Sequence, residues 1–160
     1  MLNSNVVWYF LKSICVVRSG GFIEVKPQYF EQIPIPDYED SIIEPLKSLV
    51  IEIISLSKTN QDKQNTFLSR IQSNFTIEKP SNKLKEFYNY DFKTFLSELK
   101  KKKITLTLKQ QDEWEQYFNE YKTEINKLQQ QINQTDKEID QLVYQLYGLT
   151  EEEIKIVEGA

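Results

Sequence analysis

The chain has 160 residues and a net charge of −4, which is the length of one domain, and its 39% apolar content is below the roughly 45–50% of compact globular proteins. It contains no histidine and one cysteine, which excludes histidine-based acid–base catalysis, an intramolecular disulfide and multi-thiolate metal sites. Glycine (4) and proline (5) are too scarce for an all-β fold rich in tight turns.

The first 36 residues predict a helix, a small β element and a short second helix. Asn3 to Val17 is apolar at most positions and reads as a buried helix, in which Cys15 is a small buried hydrophobe. Gly20-Gly21 permits a tight loop, and Phe22 to Lys26 alternates like a short strand. A brief helix follows Pro27. The segment Ile33-Pro34-Ile35-Pro36 is expected to be extended and to mark a boundary.

The next segment carries an apolar stripe on a helix predicted from about Tyr38 to Lys58, with Pro45 near its first turn. The stripe has steps of 4, 3, 4 and 3 residues: Ile42, Leu46, Leu49, Ile53 and Leu56. The polar stretch Thr59 to Asn65 is predicted to be a loop, and a shorter helix is predicted around Phe67 to Phe75.

Two further elements are predicted before the last helix. The residues from Leu84 to Leu99 are spaced as one amphipathic helix that ends in a run of lysines. Residues 104–108 alternate like a short strand, although Thr107 and Gln110 also form a capping box for the helix that follows.

The clearest pattern is a heptad repeat in a long helix predicted from about Gln110 to Tyr147. Its seam alternates steps of 4 and 3 residues: Trp114, Phe118, Tyr121, Ile125, Leu128, Ile132, Thr135, Ile139, Leu142 and Leu146. Gly148 is placed to end this helix, and a capping box at Thr150 opens a final short helix. The stripe of the Tyr38 to Lys58 helix has the same spacing and could pair antiparallel with this seam.

Together these elements predict a mainly α fold: a helical bundle with a long coiled-coil helix hairpin, plus a small β element near the N-terminus. We divide the chain into residues 1–36, a helical segment at 37–109, and the long and terminal helices at 110–160. With no apolar stretch of membrane-spanning length and no signal-peptide pattern, we expect a soluble, cytoplasmic protein without a membrane partner.

Charge is unevenly distributed along the chain. Residues 79–109 contain nine lysines and three acidic residues, a net charge of +6, whereas residues 110–160 have a net charge of −8. The run Lys100, Lys101, Lys102 and Lys103 is a candidate contact for a phosphate backbone. The alternative is a solvated helix end, where cations suit the negative pole of the helix dipole.

Catalytic motifs are scarce. Metal-dependent nucleases commonly combine an aspartate with a Glu-x-Lys triplet, so that carboxylates hold a metal beside the scissile phosphate. Three such triplets occur, beginning at Glu24, Glu98 and Glu153, but none has an aspartate in the expected hairpin context. No phosphate-binding glycine loop is present. We assign no catalytic residue, metal ligand or cofactor site to this chain, and whether it belongs to an enzyme is left open.

Two segments together resemble a known family. The first is Gly20-Gly21-Phe22-Ile23-Glu24-Val25-Lys26-Pro27-Gln28-Tyr29-Phe30-Glu31-Gln32-Ile33-Pro34-Ile35-Pro36, and the second is Asp136-Lys137-Glu138-Ile139-Asp140-Gln141-Leu142-Val143-Tyr144-Gln145-Leu146-Tyr147-Gly148-Leu149-Thr150, continuing to Ile154. They resemble the C-terminal specificity (target-recognition) region of type IIG restriction enzyme–adenine methyltransferases, with their TaqI-like C-terminal specificity domain. Residues 41–109 match this family more loosely.

The resemblance implies a role within a larger restriction–modification enzyme. An upstream domain of such a parent would bind S-adenosylmethionine and methylate adenine N6, and the parent could carry a nuclease. The chain would place double-stranded DNA against that domain and act as a helical spacer. Arg18 and Lys26, which flank Gly20-Gly21, are then candidate DNA contacts, or else ordinary exposed cations. The alternative function is a coiled-coil interaction module, with self-association through the seam and no DNA role.

Overall fold

The computed structural model describes residues 4–20, 22–37 and 40–159. As the sequence predicts, the fold is mainly helical, with one small antiparallel sheet near the N-terminus. A 3₁₀ turn, Phe87–Asn89, lies between the fourth and fifth helices. The described elements are α1 (Asn5–Ile14), β1 (Val16–Val17), β2 (Ile23–Glu24), α2 (Pro27–Phe30), α3 (Asp40–Phe75), α4 (Asn82–Lys85), α5 (Phe92–Lys101), α6 (Leu108–Leu146) and α7 (Glu151–Glu158).

The chain divides into two compact units. The first unit consists of Met1–Glu52 and Thr135–Ala160, and the second unit is Ile53–Gln134. Both long helices contribute to both units, since α3 and α6 each cross a boundary between them. None of the helices in the described ranges has an apolar stretch that could cross a membrane.

The first unit is built on the apolar face of α1. Ser4 caps this helix by accepting a hydrogen bond from the backbone N–H of Val7, and Val7 and Leu11 point inward to pack with Cys15 and Ile33. The prediction that Cys15 is buried is confirmed. The helix stops at Ile14 and does not reach Val17 as predicted, because the next two valines pair with β2 and extended pairing excludes helical backbone.

Backbone geometry confirms several local predictions in this unit. Gly20 has a φ of 91° in the turn between the strands, and Gly148 has a φ of 64° just beyond the end of α6. Pro27 is the first residue of α2. Thr150 and Glu153 form the predicted capping box at the start of α7, with the Thr150 backbone N–H donating to Oε2 of Glu153 over 2.8 Å.

The core of the second unit is an aromatic cluster around Phe67 of α3. The Phe67 ring is fully buried and stacks on Phe87 with centroids 3.7 Å apart, and it lies 6.1 Å from the ring of Phe118 on α6. Helices α3 and α6 are antiparallel here, since Asn60 hydrogen-bonds Gln129 whereas Phe75 packs on Trp114. The predicted long helix hairpin is therefore present, but these contacts come from residues 60–75 and not from the Tyr38 to Lys58 stripe for which the pairing was predicted.

The predicted loop at residues 59–65 is wrong, because α3 is continuous from Asp40 to Phe75. The stretch contains no glycine or proline, and two of its polar side chains, Asn60 and Lys63, continue the heptad and pair with residues of α6. The buried amide of Asn60 donates to Gln129 Oε1 over 3.3 Å, and Lys63 Nζ lies 2.5 Å from Glu124 Oε2. The polar side chains at these heptad positions therefore form hydrogen bonds and ion pairs with α6, so the helix continues through a stretch that looked too polar for an inward face.

Two predictions between α3 and α6 are also wrong. The single helix predicted from Leu84 to Leu99 is divided into α4, the 3₁₀ turn and α5, because the Asp91 side chain accepts a hydrogen bond from the Thr94 backbone N–H and caps a new helix that begins at Phe92. The segment predicted to be a strand at residues 104–108 has no strand partner among the described residues, and its last residue, Leu108, is already the first residue of α6. The Thr107–Gln110 capping box is confirmed.

The seam of α6 is confirmed as its inward face. Five of its residues are buried: Phe118, Ile125, Thr135, Ile139 and Leu146. The other five are half-buried. Phe118 and Ile125 belong to the core of the second unit, where they pack with residues of this same chain.

Candidate functional sites

The β1–β2 hairpin brings the two candidate cations of the N-terminal segment to one carboxylate. Arg18 Nε donates to Glu24 Oε2 over 2.7 Å, and Lys26 Nζ lies 3.7 Å from Glu24 Oε1. The hydrogen bond from Arg18 is the main cause that lowers the pKa of Glu24 below its ordinary value. The cations are exposed on the hairpin surface, but a phosphate would have to share them with Glu24.

The lysine run lies in the second unit, at the end of α5. All four lysines are exposed, and Lys103 leaves the helix with a φ of 62°. Lys101 Nζ lies 2.6 Å from Glu98 Oε1. The sequence-predicted DNA contacts therefore occupy two surfaces, the hairpin of the first unit and the α5 end of the second.

The two segments that carry the family resemblance fold into the same unit. The hydroxyl of Tyr147, just after α6, donates to the carbonyl oxygen of Pro34 over 2.9 Å. The start of α1 joins the same arrangement, because the Asn5 amide donates to Asp140 Oδ2 over 2.8 Å. Burial raises the pKa of Asp140 above its ordinary value. Residues separated by more than 100 positions are therefore linked directly.

Beside the Tyr147–Pro34 bond lies a cavity of about 310 Å³. Its walls are mostly apolar and come from α1, the Ile33-Pro34 segment, the residues after α6, and α7. Glu153 is the only charged residue among the described residues that line it, and its side chain already takes part in the cap of α7. The chemistry of this cavity suits apolar side chains rather than a polar substrate.

Replacing Tyr147 with phenylalanine should destabilise the first unit by about 1 kcal/mol, the net value of one hydrogen bond. Trp8 lies in this unit, so its fluorescence during urea unfolding gives the measurement. Tyr9→Phe is the matched control, because the Tyr9 side chain lines the same cavity and its hydroxyl has no hydrogen-bond partner among the described residues. Equal unfolding midpoints for the two variants would contradict a stabilising Tyr147–Pro34 bond.

The glutamates of the three Glu-x-Lys triplets all have structural partners. Glu24 binds Arg18 and Lys26, and Glu153 caps α7. Glu98 is buried on α5, where it accepts hydrogen bonds from Ser81 Oγ over 2.7 Å and from Lys101 Nζ over 2.6 Å. Within the described ranges, no group of three or more Cys, Asp or Glu side chains is arranged to hold a metal ion.

Glu98 should make stability depend on pH. The hydrogen bonds from Lys101 and then Ser81 lower its pKa below the ordinary 4.5, so the unfolded chain binds its proton more readily than the folded chain. Its stabilising contribution is therefore complete above the unfolded pKa and is lost as pH falls through the lower folded pKa. We expect Glu98→Gln to lower the urea midpoint at neutral pH, and the difference from the parent to shrink below about pH 4. A constant difference across this range would contradict the assignment.

A second cavity, of about 300 Å³, lies between α3 and α6 in the second unit. It is lined by Arg70, Asn74, Glu113, Trp114 and Tyr117. Among these residues, the sequence indicated Trp114 as a seam residue and Glu113 as part of the acidic face outside the seam, but neither as part of a site. The sequence does indicate that Arg70 and Asn74, four residues apart, share one helix face. It does not indicate that Glu113, Trp114 and Tyr117 of α6 lie opposite that face, because this depends on how the two helices pair.

Comparison with known proteins adds one match. The family model described as "Domain of unknown function (DUF8810)" matches residues 39–143, which is more than half of the chain. The chain belongs to this family. No curated protein and no solved structure shows a significant match to it.

The DUF8810 match can be placed on the fold. It includes the whole second unit, with its aromatic core, lysine run and second cavity. It also includes all of α3 and α6 as far as Val143, whereas the β1–β2 hairpin and α7 lie outside it. The match therefore covers the two long helices and the elements between them, and it does not include Arg18 and Lys26.

Proposed function

We propose that this chain is the C-terminal part of the DNA-specificity region of a restriction–modification adenine methyltransferase. The observation that supports it is the junction at Tyr147 and Pro34. The two segments that resemble this family are far apart in the sequence, yet they lie in one compact unit and share a hydrogen bond.

In this proposal the chain positions double-stranded DNA and does no chemistry itself. The S-adenosylmethionine site and the methyl transfer to adenine N6 belong to an upstream domain of the parent, and the helices act as a spacer that holds DNA against it. Arg18 and Lys26 contact phosphates from the hairpin. The lysines of residues 100–103 supply a second, sequence-independent attraction.

The test is the pattern of N6-methyladenine in the genome of cells that encode this chain. Deleting its coding segment should remove methylation from one sequence motif, as read by long-read sequencing of unamplified DNA. Substituting Arg18 and Lys26 together by glutamine should reduce methylation of the same motif. A methylated genome that keeps every motif after the deletion would refute the proposal.

A matched control separates DNA contact from general charge loss. Lys58→Gln with Lys155→Gln removes two exposed cations elsewhere, so it should leave the methylated motif intact. The Arg18 and Lys26 changes also release Glu24 from its partners. Thermal unfolding of both double variants should give nearly equal midpoints, because exposed ion pairs contribute little to stability. Equal midpoints show that a loss of methylation does not come from a folding defect.

The isolated chain should bind duplex DNA weakly and without sequence preference. We expect dissociation constants of about 10⁻⁴ to 10⁻⁶ M at physiological salt, which weaken steeply as salt rises. Replacing the four lysines of residues 100–103 by glutamine should flatten the salt dependence, measured by fluorescence anisotropy. The control replaces four other exposed lysines: Lys58, Lys79, Lys85 and Lys155. Nanomolar, sequence-selective binding would contradict this prediction.

The alternative, a coiled-coil module that recruits a partner through the α6 seam, has less support. Phe118 is 1% exposed and Ile125 is fully buried, and both pack against residues of this chain. A second chain could reach this part of the seam only by displacing α3 and the aromatic core. We therefore make DNA positioning the proposed function.

A further inference from the structure

The cavity between α3 and α6 in the second unit is lined by charged, amide and aromatic side chains. Arg70 and Asn74 line it from α3, while Glu113, Trp114 and Tyr117 line it from α6. The rings of Trp114 and Tyr117 are perpendicular, with centroids 5.7 Å apart, so they form two adjoining aromatic walls. At about 300 Å³ the cavity is at the lower end of the size range of small-molecule sites.

The polar side chains of this cavity are exposed at its open side, where they form few bonds with other described residues. Arg70 forms no ion pair among the described residues, although Glu113 lines the same cavity. Glu113 has only a distant partner, since its Oε1 lies 4.0 Å from Lys109 Nζ. The Asn74 side chain donates one amide hydrogen to the Arg70 carbonyl oxygen. Its side-chain oxygen has no hydrogen-bond partner among the described residues.

Arg70 and Glu113 carry opposite charges and line the same aromatic cavity, so a matching ligand would have an anionic group at one end and a hydrogen-bond donor at the other. The ligand needs an anionic group for Arg70 and a hydrogen-bond donor for Glu113. A planar ring between them would contact the aromatic walls. Nucleotides with an exocyclic amine on the base have this chemistry: phosphate pairs with arginine, a base stacks on aromatic rings, and a carboxylate accepts from the amine.

We propose that this cavity binds a nucleotide whose base carries an exocyclic amine, with its phosphate on Arg70 and its amine directed to Glu113. Asn74 supplies a further acceptor and donor for the base edge. The proposal rests on the second unit alone and does not depend on a methyltransferase parent. Free nucleotide and single-stranded DNA offer the same chemistry, and the experiment distinguishes them.

The test uses the full chain with Trp8→Phe, which leaves Trp114 as the only tryptophan. Titration with dAMP should shift the single indole N–H signal in the NMR spectrum. Deoxyinosine monophosphate, a purine nucleotide with a carbonyl oxygen in place of the amine, should bind about tenfold more weakly than dAMP, and Glu113→Gln should reduce this difference in affinity. An oligo(dA) single strand that binds more tightly than dAMP identifies a nucleic-acid strand as the ligand, whereas equal affinity identifies the free nucleotide.

Arginine variants provide the decisive comparison. Arg70→Gln should weaken dAMP binding about tenfold and leave binding of deoxyadenosine, which has no phosphate, unchanged. Arg70→Lys should retain part of the dAMP affinity, and Arg18→Gln, at the chain's only other arginine, should retain all of it. An indole signal that does not move with millimolar dAMP, or an Arg70→Gln variant with undiminished dAMP affinity, would overturn the proposal.

Discussion

Replacing Ile125 with aspartate should unfold the second unit. The Ile125 side chain is fully buried on α6 within the core of that unit. A carboxylate there would lose its hydration, and the apolar contacts of the isoleucine would be lost as well. We expect a cost of about 4 kcal/mol or more, which is comparable with the whole stability of a small domain. Circular dichroism at neutral pH should show a large loss of helical signal.

The control for this change is Ile54→Asp. Ile54 lies on α3 in the same unit, but 62% of it is exposed to solvent. The same substitution there removes little packing and leaves the carboxylate hydrated, so we expect a change within about 0.5 kcal/mol. If both variants lose the same amount of helical signal, burial of the α6 seam is not what stabilises this unit.

Phe67→Ala should produce the second-largest effect. Its fully buried ring contacts the rings of six other aromatic residues: Phe87, Phe95, Trp114, Tyr117, Phe118 and Tyr121. Removing the ring leaves a cavity where α3 meets α6, and such truncations cost about 3–5 kcal/mol. Urea unfolding, followed by helical signal and by Trp114 fluorescence, gives the change in the free energy of unfolding.

Two further variants show whether the loss comes from packing. Phe67→Leu refills part of the space and should recover a substantial part of the stability. Phe22→Ala removes a ring that is 74% exposed and should have little effect. Equal destabilisation by Phe67→Ala and Phe67→Leu would show that the aromatic contacts, rather than the filled volume, dominate this core.

Local signals predicted the ends of many elements well. The Thr107–Gln110 and Thr150–Glu153 capping boxes and the glycine after α6 all lie where the sequence places them. Each depends on residues within about one helical turn, so no distant contact is needed to form it. The buried face of α6 was equally predictable, since a repeat of 3.5 residues keeps one side of a helix apolar.

The errors have two causes. The stretch around Asn60 and Lys63 looks too polar for a buried helix face, yet α6 supplies Gln129 and Glu124 as partners. The residues from Leu84 to Leu99 look like one helix, yet Asp91 caps a new one at Phe92 by accepting a hydrogen bond from the Thr94 backbone N–H. The first error concerns partners that sequence spacing cannot locate, whereas the second concerns a local capping signal inside a stretch with amphipathic spacing.

The sequence by itself determined the mainly helical fold, the α6 seam and the segments that resemble a specificity region. Only the tertiary structure decided that Tyr147 meets Pro34, that Arg18 and Lys26 share Glu24, and that Arg70 lines a cavity with Trp114. The physical reason is the distance along the chain over which each interaction acts. Helix periodicity and capping act over a few residues, whereas a site requires groups from separate elements, and their positions are set by how the apolar faces pack together.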